Sequence, residues 1–428
     1  MSKTRVMIIG ILAILLMALP LLTACDDDDE TKEVTQVETQ QPTPEEMPDI
    51  HVGMAGLVTG PYGAYAPITW GYLDYVRDLN ERGGIDGAQI KMHWKDCQFD
   101  TPQSLAAYAD FTRSHDLVAF SGNGTEANLA LAPRCDEDGI PLIAIGGEQQ
   151  IVWPSQKWVF GTTPNHGSGA VSAMKYAMDQ WDGSAPPKVG IAYPAMAFGE
   201  AQLEGVEDYA DELGYQVVKK EEFALQSLDG VSQALTFQNA GVDIVYIAGT
   251  AKSVAVLCKD MKRQGFEPSM VIGPFHAIHP AFSDLAGDAG EGVIAWNVFE
   301  IWPQDLDNPS VEYWRDKAAE YGTGDVVSQE EPYFSPLYMW GLSMGVTLEA
   351  GLREAAREVG AANIDAQALR DALENITDFK TETSGFQPPI TFSPENHEAY
   401  RSNNIMQVQN GKWVRVTDWF ESPWEYTE

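Results

Sequence analysis

Residues 117–145 read LVAFSGNGTEANLALAPRCDEDGIPLIAI, and this stretch decides the fold class. A short apolar run at 117–121 ends in a turn with two glycines, and residues 126–138 have the composition of a helix. A second apolar run follows at 141–145. Apolar strands joined through helices are typical of a parallel sheet covered on both faces.

The same alternation continues in both directions along the chain. Further strands are predicted at 51–57, 90–95, 188–193, 242–248 and 270–273, with helices between them. The strands form two series, near 50–164 and 165–299, and the 379 residues from Ile50 exceed what one core usually serves. The sequence therefore predicts an α/β protein with two doubly wound, Rossmann-like parallel-sheet lobes.

The last third of the chain predicts helices near 311–322, 333–357 and 366–375, followed by a β-hairpin that turns at Asn410-Gly411. We expect lobe 1 to comprise 50–164 plus about 300–386, and lobe 2 to comprise 165–299 plus about 387–428. A multi-strand hinge would join them. Because open α/β sheets bind ligands at the carboxyl ends of their strands, the ligand cleft should lie between the lobes.

The N-terminus predicts export. Lys3 and Arg5 precede an apolar run from Val6 to Leu22, which indicates a secretory signal over residues 1–24. A plain signal peptide without lipid attachment and an uncleaved N-terminal anchor are the alternatives. The sequence Leu22-Thr-Ala-Cys25 resembles the bacterial lipobox. This resemblance implies that Cys25 is acylated and that its acyl chains hold the protein to a lipid bilayer, at an inner-membrane or outer cell surface.

Residues 25–49 predict an acidic tether behind the lipidated cysteine. Residues 26–49 contain ten acidic side chains against one lysine and no aromatic residue, so they cannot bury enough surface to fold alone. Removing the +2 of the signal and the −9 of the tether from the net charge of −36 leaves −29 on the remainder. Such a surface argues against nucleic acid as a partner.

Three cysteines remain after Cys25, namely Cys97, Cys135 and Cys258. Export permits a disulfide, although an odd count leaves one thiol over. We expect Cys97 to pair with Cys135, because both fall in the predicted first lobe.

Four stretches together resemble the type I periplasmic binding proteins of leucine/isoleucine/valine and amide uptake systems. They are Thr59–Gly63, Asp78–Gly87, Gly287–Val293 and Thr391–His397. The resemblance implies a binding protein, not an enzyme, that needs no cofactor. It would deliver a branched-chain or other apolar amino acid, a small organic acid or an amide to the membrane permease of an ABC transporter.

In that family, two turns of the first lobe hold the ligand's carboxylate through backbone amides and hydroxyls. The matching turns here point to Gly124, Thr125, Gly146 and Gly147. Glycines let the backbone approach an anion, and helix N-termini are partly positive. The alternative is that these glycines only form tight turns.

The second lobe departs from the family pattern. An aromatic residue and an acid are usual where this chain has Thr250 and Phe275, so an α-amino group would lack its counter-ion unless Glu148 supplied one. Other candidates for an aromatic or amide pocket, each of which could instead pack in a core, are Tyr62, Tyr65, Trp70, Phe198 and His276. His166 falls near the expected crossing between lobes.

Sequence patterns typical of enzymes are present but weak. Gly341-Leu-Ser-Met-Gly345 matches a nucleophile elbow, but it lies in a segment that predicts one buried helix. His276 and His279 lack the partners of a zinc site, so no metal is expected. Three alternatives stay open beside uptake, namely a ligand-sensing protein that feeds a sensor, an aromatic carboxylate-binding protein and an extracytoplasmic amidase.

Overall fold

The computed structural model describes residues 47–122, 124–145, 149–153, 155, 157–301, 304–305, 307–323 and 336–425. The predicted signal, Cys25 and most of the predicted tether lie outside these residues, as do Gly146, Gly147 and Glu148. None of the helices in the described ranges combines the length and the hydropathy needed to cross a bilayer.

The first sheet contains five parallel strands in the described chain, in the order β2-β1-β3-β4-β5. The strands are β1 Ile50–Gly56, β2 Ile90–Asp96, β3 Leu117–Gly122, β4 Leu142–Ala144 and β5 Val159–Gly161. The helices between them are α1 Ala66–Glu81, α2 Thr101–Ser114, α3 Thr125–Asp138 and α4 Gln149–Val152. The central strand β3 is buried along its whole length, as its unbroken apolar run predicts.

The second sheet has the order β12-β11-β10-β9-β8-β6-β7, and β13 pairs with β11. Strands β6 to β10 run parallel, whereas β11 and β12 form an antiparallel hairpin at one edge. The strands are β6 Lys188–Tyr193, β7 Gln216–Glu222, β8 Ile244–Ile247, β9 Met270–Gly273, β10 Ile294–Asn297, β11 Ser402–Gln409, β12 Lys412–Arg415 and β13 Phe420–Glu421. The helices are α5 His166–Gln180, α6 Ala197–Asp208, α7 Ala210–Leu213, α8 Val231–Ala240, α9 Ala251–Arg263 and α10 Phe282–Ala286.

Three more helices follow β10 in the described chain, namely α11 Pro309–Tyr321, α12 Pro336–Val359 and α13 Ala366–Leu373. Helix α12 packs directly on α1 of the first sheet. A Cβ atom on Gly341 would lie 2.1 Å from the carbonyl oxygen of Ile68, and one on Gly71 would lie 2.2 Å from that of Tyr338. The Gly341–Gly345 pattern therefore lies in a buried helix, as predicted, where Gly341 allows two backbones to touch.

The chain passes between the two sheets in three places, within residues 162–165, 298–308 and 374–401. Hydrogen bonds join the third crossing to the end of β5 and to the second crossing. The amide of Gly161 donates to the carbonyl of His397 at 2.8 Å, and that of Glu300 donates to the carbonyl of Phe386 at 2.7 Å. The fold is the predicted α/β arrangement of two lobes. The exact residue boundaries of the lobes stay a prediction.

The predicted disulfide between Cys97 and Cys135 is wrong, because all three described cysteines are free and buried. Cys97 follows β2, at the edge of the sheet where the strands end. Cys135 lies ten residues into α3, which starts at that edge and leads away from it over about 15 Å at 1.5 Å per residue. A disulfide needs Cα atoms about 4.4–6.8 Å apart. The Cys97 thiol instead donates to the carbonyl of Lys95 at 3.4 Å.

Candidate ligand-binding site

A cavity lies where strands of both sheets end. Strands β1, β3 and β4 lead into it from one side, and β8 and β9 lead into it from the other. It encloses about 490 Å³ of space that is open to solvent at its mouth. Its described lining consists of Leu57, Tyr62, Tyr65, Ile68, Phe99, Gly124, Thr125, Ile145, His166, Phe198, Leu225, Thr250, His276 and Trp340.

The N-terminus of α3 forms one polar patch of the wall. Gly124 caps this helix with φ +115°, and no side chain of the described residues bonds its first amides. A Cβ atom on Gly124 would lie 2.3 Å from the ring of Phe99, so only glycine fits both the dihedral angle and the space. Free N–H groups at the positive end of a helix bind anions. The hydroxyl-bearing Thr125 stands beside them on the cavity wall.

Aromatic rings build much of the remaining wall. The ring centroid of His276 lies 4.8 Å from that of Phe198, 5.4 Å from that of Trp340 and 6.1 Å from that of Tyr65. Trp340 is held by a hydrogen bond of 3.3 Å from its indole nitrogen to the hydroxyl of Thr162. These rings offer apolar faces to a ligand and fix the shape of the cavity.

Two histidines in the wall are neutral. Burial lowers the pKa of His166 to about 3. Burial, and then the neighbouring His166, hold the pKa of His276 well below its ordinary value. The Nδ1 atom of each ring has no hydrogen-bond partner among the described residues. Each ring can therefore exchange a hydrogen bond with a ligand without adding charge to the site.

None of the described lining residues is charged, but a carboxylate lies next to them. Both side-chain oxygens of Glu126, which follows Thr125 in the first turn of α3, are buried and lack a partner in the described chain. Burial, and then the charge of Glu126, raise the pKa of Tyr62 in the cavity wall. A cationic group bound near Tyr62 would be attracted to this carboxylate.

Contacts that need no ligand connect the two lobes beside the cavity. Tyr65, ahead of α1, lies beside Thr250, which caps α9. Burial raises the pKa of Tyr65 above its ordinary value, against the opposing effect of the Thr250 hydroxyl. Farther out, the side-chain amide of Gln226 donates to the carbonyl of Pro61 at 3.3 Å.

The structure brings together most of the site residues expected from the sequence. Those at the cavity are Gly124, Thr125, Tyr62, Tyr65, Phe198, Thr250 and His276. Phe275 is not among the described residues of the wall, because it packs behind it with ring centroids 4.9 Å from Trp296 and 4.8 Å from Trp340. Trp70 packs edge-on against Trp94 instead.

Sequence reasoning missed several residues of the wall. They are Leu57, Ile68, Phe99, Ile145, Leu225 and Trp340, and His166 was expected only near the crossing. Leu57 and Ile145 could have been found, because each stands at the carboxyl end of a predicted strand. Gly146, Gly147 and Glu148 follow Ile145 directly, outside the described residues, and their roles stay predictions.

Comparison with known proteins agrees with this architecture. Residues 49–412 match the model of a family described as periplasmic binding protein. Leu/Ile/Val-binding protein homolog 1 of Brucella abortus is 23% identical over 337 residues, which cover 78% of this chain and 84% of that protein. Homolog 2 of the same organism is 24% identical over 279 residues, which cover 64% of this chain and 73% of that protein.

A solved structure superposes closely. It is a branched-chain amino acid ABC transporter protein from Thermus thermophilus with bound valine, at a TM-score of 0.79 and 25% identity, covering 88% of this chain and 97% of that one. The family match extends over most of the sequence and includes both sheets. This chain therefore belongs to the periplasmic binding protein family.

Proposed function

We propose that this protein is the extracytoplasmic substrate-binding lipoprotein of an ABC uptake transporter. Its ligand is a small carboxylate or amide with an apolar body, with branched-chain amino acids as the first candidates. The observation that carries the proposal is the N-terminus of α3, whose first amides no described side chain bonds, facing a cavity with mostly apolar described walls. The names of the relatives, which refer to leucine, isoleucine and valine, support the same ligand class.

The mechanism is capture without covalent chemistry. The ligand's carboxylate or amide oxygen accepts hydrogen bonds from the first amides of α3 and from the Thr125 hydroxyl. Its apolar body packs against Phe198, Leu225 and Ile68, and the neutral His166 and His276 add hydrogen bonds at its edge. Rotation of the lobes about the three crossings then encloses it.

A calorimetric screen tests the ligand class. L-leucine, L-valine, 4-methylpentanoate, its amide and phenylacetate form the panel, with a sugar and a polyamine as contrasts. The variant Thr125→Val keeps the shape but removes the hydroxyl, and it should weaken carboxylate binding by about 1.5–3 kcal/mol. Thr112→Val is the matched control, because the Thr112 hydroxyl bonds within α2, away from the cavity. Tight binding of the sugar or polyamine alone would overturn the assignment.

A second test asks what pairs with an α-amino group. Glu126 is the described carboxylate beside the cavity, and Glu148 is the one expected from the sequence. If either pairs with the amine, its change to Gln should weaken L-leucine binding by about 2–5 kcal/mol. Binding of 4-methylpentanoate, which lacks the amine, should not change. Equal losses for both ligands would show that the glutamate only supports the fold.

Aromatic carboxylates are the second candidate, and the ring set around His276 favours them. Aromatic pairs contribute about 0.5–1.5 kcal/mol beyond the area that they bury. Phe198→Leu should therefore weaken phenylacetate binding more than L-leucine binding. A larger loss for L-leucine would favour aliphatic ligands.

Lobe closure should be visible in solution. Saturating ligand should lower the radius of gyration measured by X-ray scattering and raise the melting temperature. Unchanged scattering at saturation would contradict capture by closure.

The lipid anchor rests on residues 22–25, which match the lipobox pattern. Cells that express the protein should incorporate a labelled fatty acid into it, and Cys25→Ser should abolish the label. Deletion of the gene distinguishes a transport role from a sensing role. Ligand uptake should be lost if the protein serves transport, and it should persist if the protein only feeds a sensor.

A further inference from the structure

Three of the seven histidines of this chain meet on the first sheet, towards the end that lies away from the cavity. His51 lies in β1, His93 lies in the neighbouring strand β2, and His115 caps the C-terminus of α2. All three are half-buried. Sequence analysis did not single them out, because 42 and 22 positions separate them along the chain.

The strand register places these side chains on one face of the sheet. His51 pairs with Lys91, two residues before His93, and His93 pairs with Gly53, two residues after His51. Residues two apart in a strand point to the same side, so the two imidazoles are diagonal neighbours. Helix α2 lies against β1 and β3 and ends at His115, just before the strand that pairs with His51.

The ring nitrogens are close enough to share one ion. His51 Nδ1 lies 2.9 Å from His93 Nε2, and the ligand atoms of all three side chains lie within 4.8 Å of one another. The centroids of His93 and His115 are 3.6 Å apart. In a tetrahedral site with metal–nitrogen bonds of about 2.0–2.1 Å, the nitrogens stand about 3.3 Å apart. The observed spacings bracket this value, and the broad χ2 torsion of histidine accommodates the difference.

From this geometry we propose that His51, His93 and His115 form a binding site for a divalent transition metal ion, with Zn²⁺ as the principal candidate. Imidazole ligands select zinc, copper and nickel over magnesium and calcium. Three protein ligands leave the fourth position to water or an exposed carboxylate. Asp116 follows His115 directly, and Asp49 near His51 pairs with Lys91 at 3.8 Å, so an acidic ligand is within the same surface region.

The site is structural and independent of the cleft. His51 in β1 and the cavity residue Leu57, which directly follows that strand, lie six residues apart, a distance of about 20 Å at 3.3 Å per residue. A bound ion would tie β1, β2 and the start of β3 together at the opposite edge of the sheet. It would therefore stabilise the first lobe and leave ligand affinity in the cleft unchanged.

Zinc titration of the full mature chain, purified without a histidine tag, tests this proposal. Calorimetry should give one Zn²⁺ per chain, with a rise in melting temperature at saturation. Changing a residue that only orients a metal-ligating side chain lowers metal affinity by about 10–100-fold. His93→Gln removes a metal-ligating side chain, so it should lower zinc affinity by at least that factor. His279→Gln, outside the cluster, should bind zinc like the parent protein. Electron paramagnetic resonance with Cu²⁺ should show nitrogen coordination that His93→Gln diminishes.

Control measurements separate the histidines from the acidic surface and from misfolding. Mg²⁺ prefers carboxylates and should bind the parent and His93→Gln equally. Without zinc, His93→Gln should have the circular dichroism spectrum and the urea unfolding slope of the parent protein, which verifies its fold. Absence of saturable zinc binding, or equal zinc affinity in the parent and His93→Gln, would overturn the proposal.

Discussion

Replacing Gly341 by alanine tests whether the contact between α1 and α12 shapes the cavity. Gly341 lies inside a regular helix, where the higher helix propensity of alanine would by itself stabilise the protein by about 1 kcal/mol. The added methyl group, however, would lie 2.1 Å from the Ile68 oxygen, 2.7 Å from the Tyr72 nitrogen and 2.9 Å from the Gly71 Cα. All three are backbone atoms that cannot rotate away, so the helices must separate by about 1 Å to reach ordinary contact.

Overpacking of this kind costs about 1–3 kcal/mol, and blocked backbone atoms place Gly341→Ala at the upper end. After subtraction of the helix-propensity gain, we expect a net loss of about 2 kcal/mol in the free energy of unfolding. The neighbouring Trp340 should move with its helix and weaken ligand binding. Gly351→Ala on the same helix is the matched control, because the three atoms nearest to its added methyl belong to the side chains of Leu369 and Leu373 and not to the backbone.

Urea unfolding followed by tryptophan fluorescence measures the free energy of unfolding of both variants. Their midpoints can be compared if the dependence of this free energy on urea concentration is unchanged. Calorimetry with the cleft ligand measures the second effect. A Gly341→Ala protein as stable as the parent or more stable, with unaltered affinity, would refute the close helix contact.

Three further predictions concern titration, thiols and the turn before α3. Burial lowers the pKa of His166 to about 3, below the value of about 6.5 in unfolded chains. Stability should therefore fall by about 1.4 kcal/mol per pH unit as pH drops from 6.5 towards 3, and His166→Gln should remove that share of the slope in pH-dependent urea unfolding. Thiol titration of denatured, unreduced protein should find three free thiols, whereas a bond between Cys97 and Cys135 would leave one. Gly124→Ala should weaken ligand binding, because the turn before α3 needs a φ of +115°. Gly139→Ala strains the other end of α3 and should leave ligand binding unchanged. Equal losses of affinity in the two variants would contradict a role for the turn in binding.

Elements with strong local patterns could be predicted from the sequence. Strands β3 and β4 follow the prediction because their apolar runs are buried along their whole length, and helix α3 between them buries one face. The hairpin of β11 and β12 turns at Asn410 and Gly411 with φ values of 54° and 72°, as a two-residue turn of this composition requires. Local sequence was sufficient for these elements.

Other strands gave no such signal. Strand β5 is only three residues long, and β7 is an edge strand whose residues are mostly exposed and whose last four, Lys219 to Glu222, are charged. Their strand conformation comes from pairing with β4 and β6, which are distant in sequence. Tertiary pairing therefore overrides weak local preference there.

The site was harder to predict than the fold. Phe275 and His276 are adjacent in a single 3₁₀ turn, yet His276 reaches the cavity and Phe275 packs into the core. The sequence alone does not specify how that turn is rotated. Trp340 follows the strands that lead to the cavity in the first lobe by 196 to 284 positions, and only the packing of α12 on α1 brings it there.

The contact between the lobes also makes affinity adjustable at a distance. The side-chain amide of Gln226 donates to the carbonyl of Pro61 across the two lobes without touching a ligand. A bond of this kind favours the closed arrangement, and apparent affinity scales with the fraction of molecules that can bind. Substitutions at Gln226, which is not among the described lining residues of the cavity, should therefore change the affinity for all ligands alike and leave the selectivity among them the same.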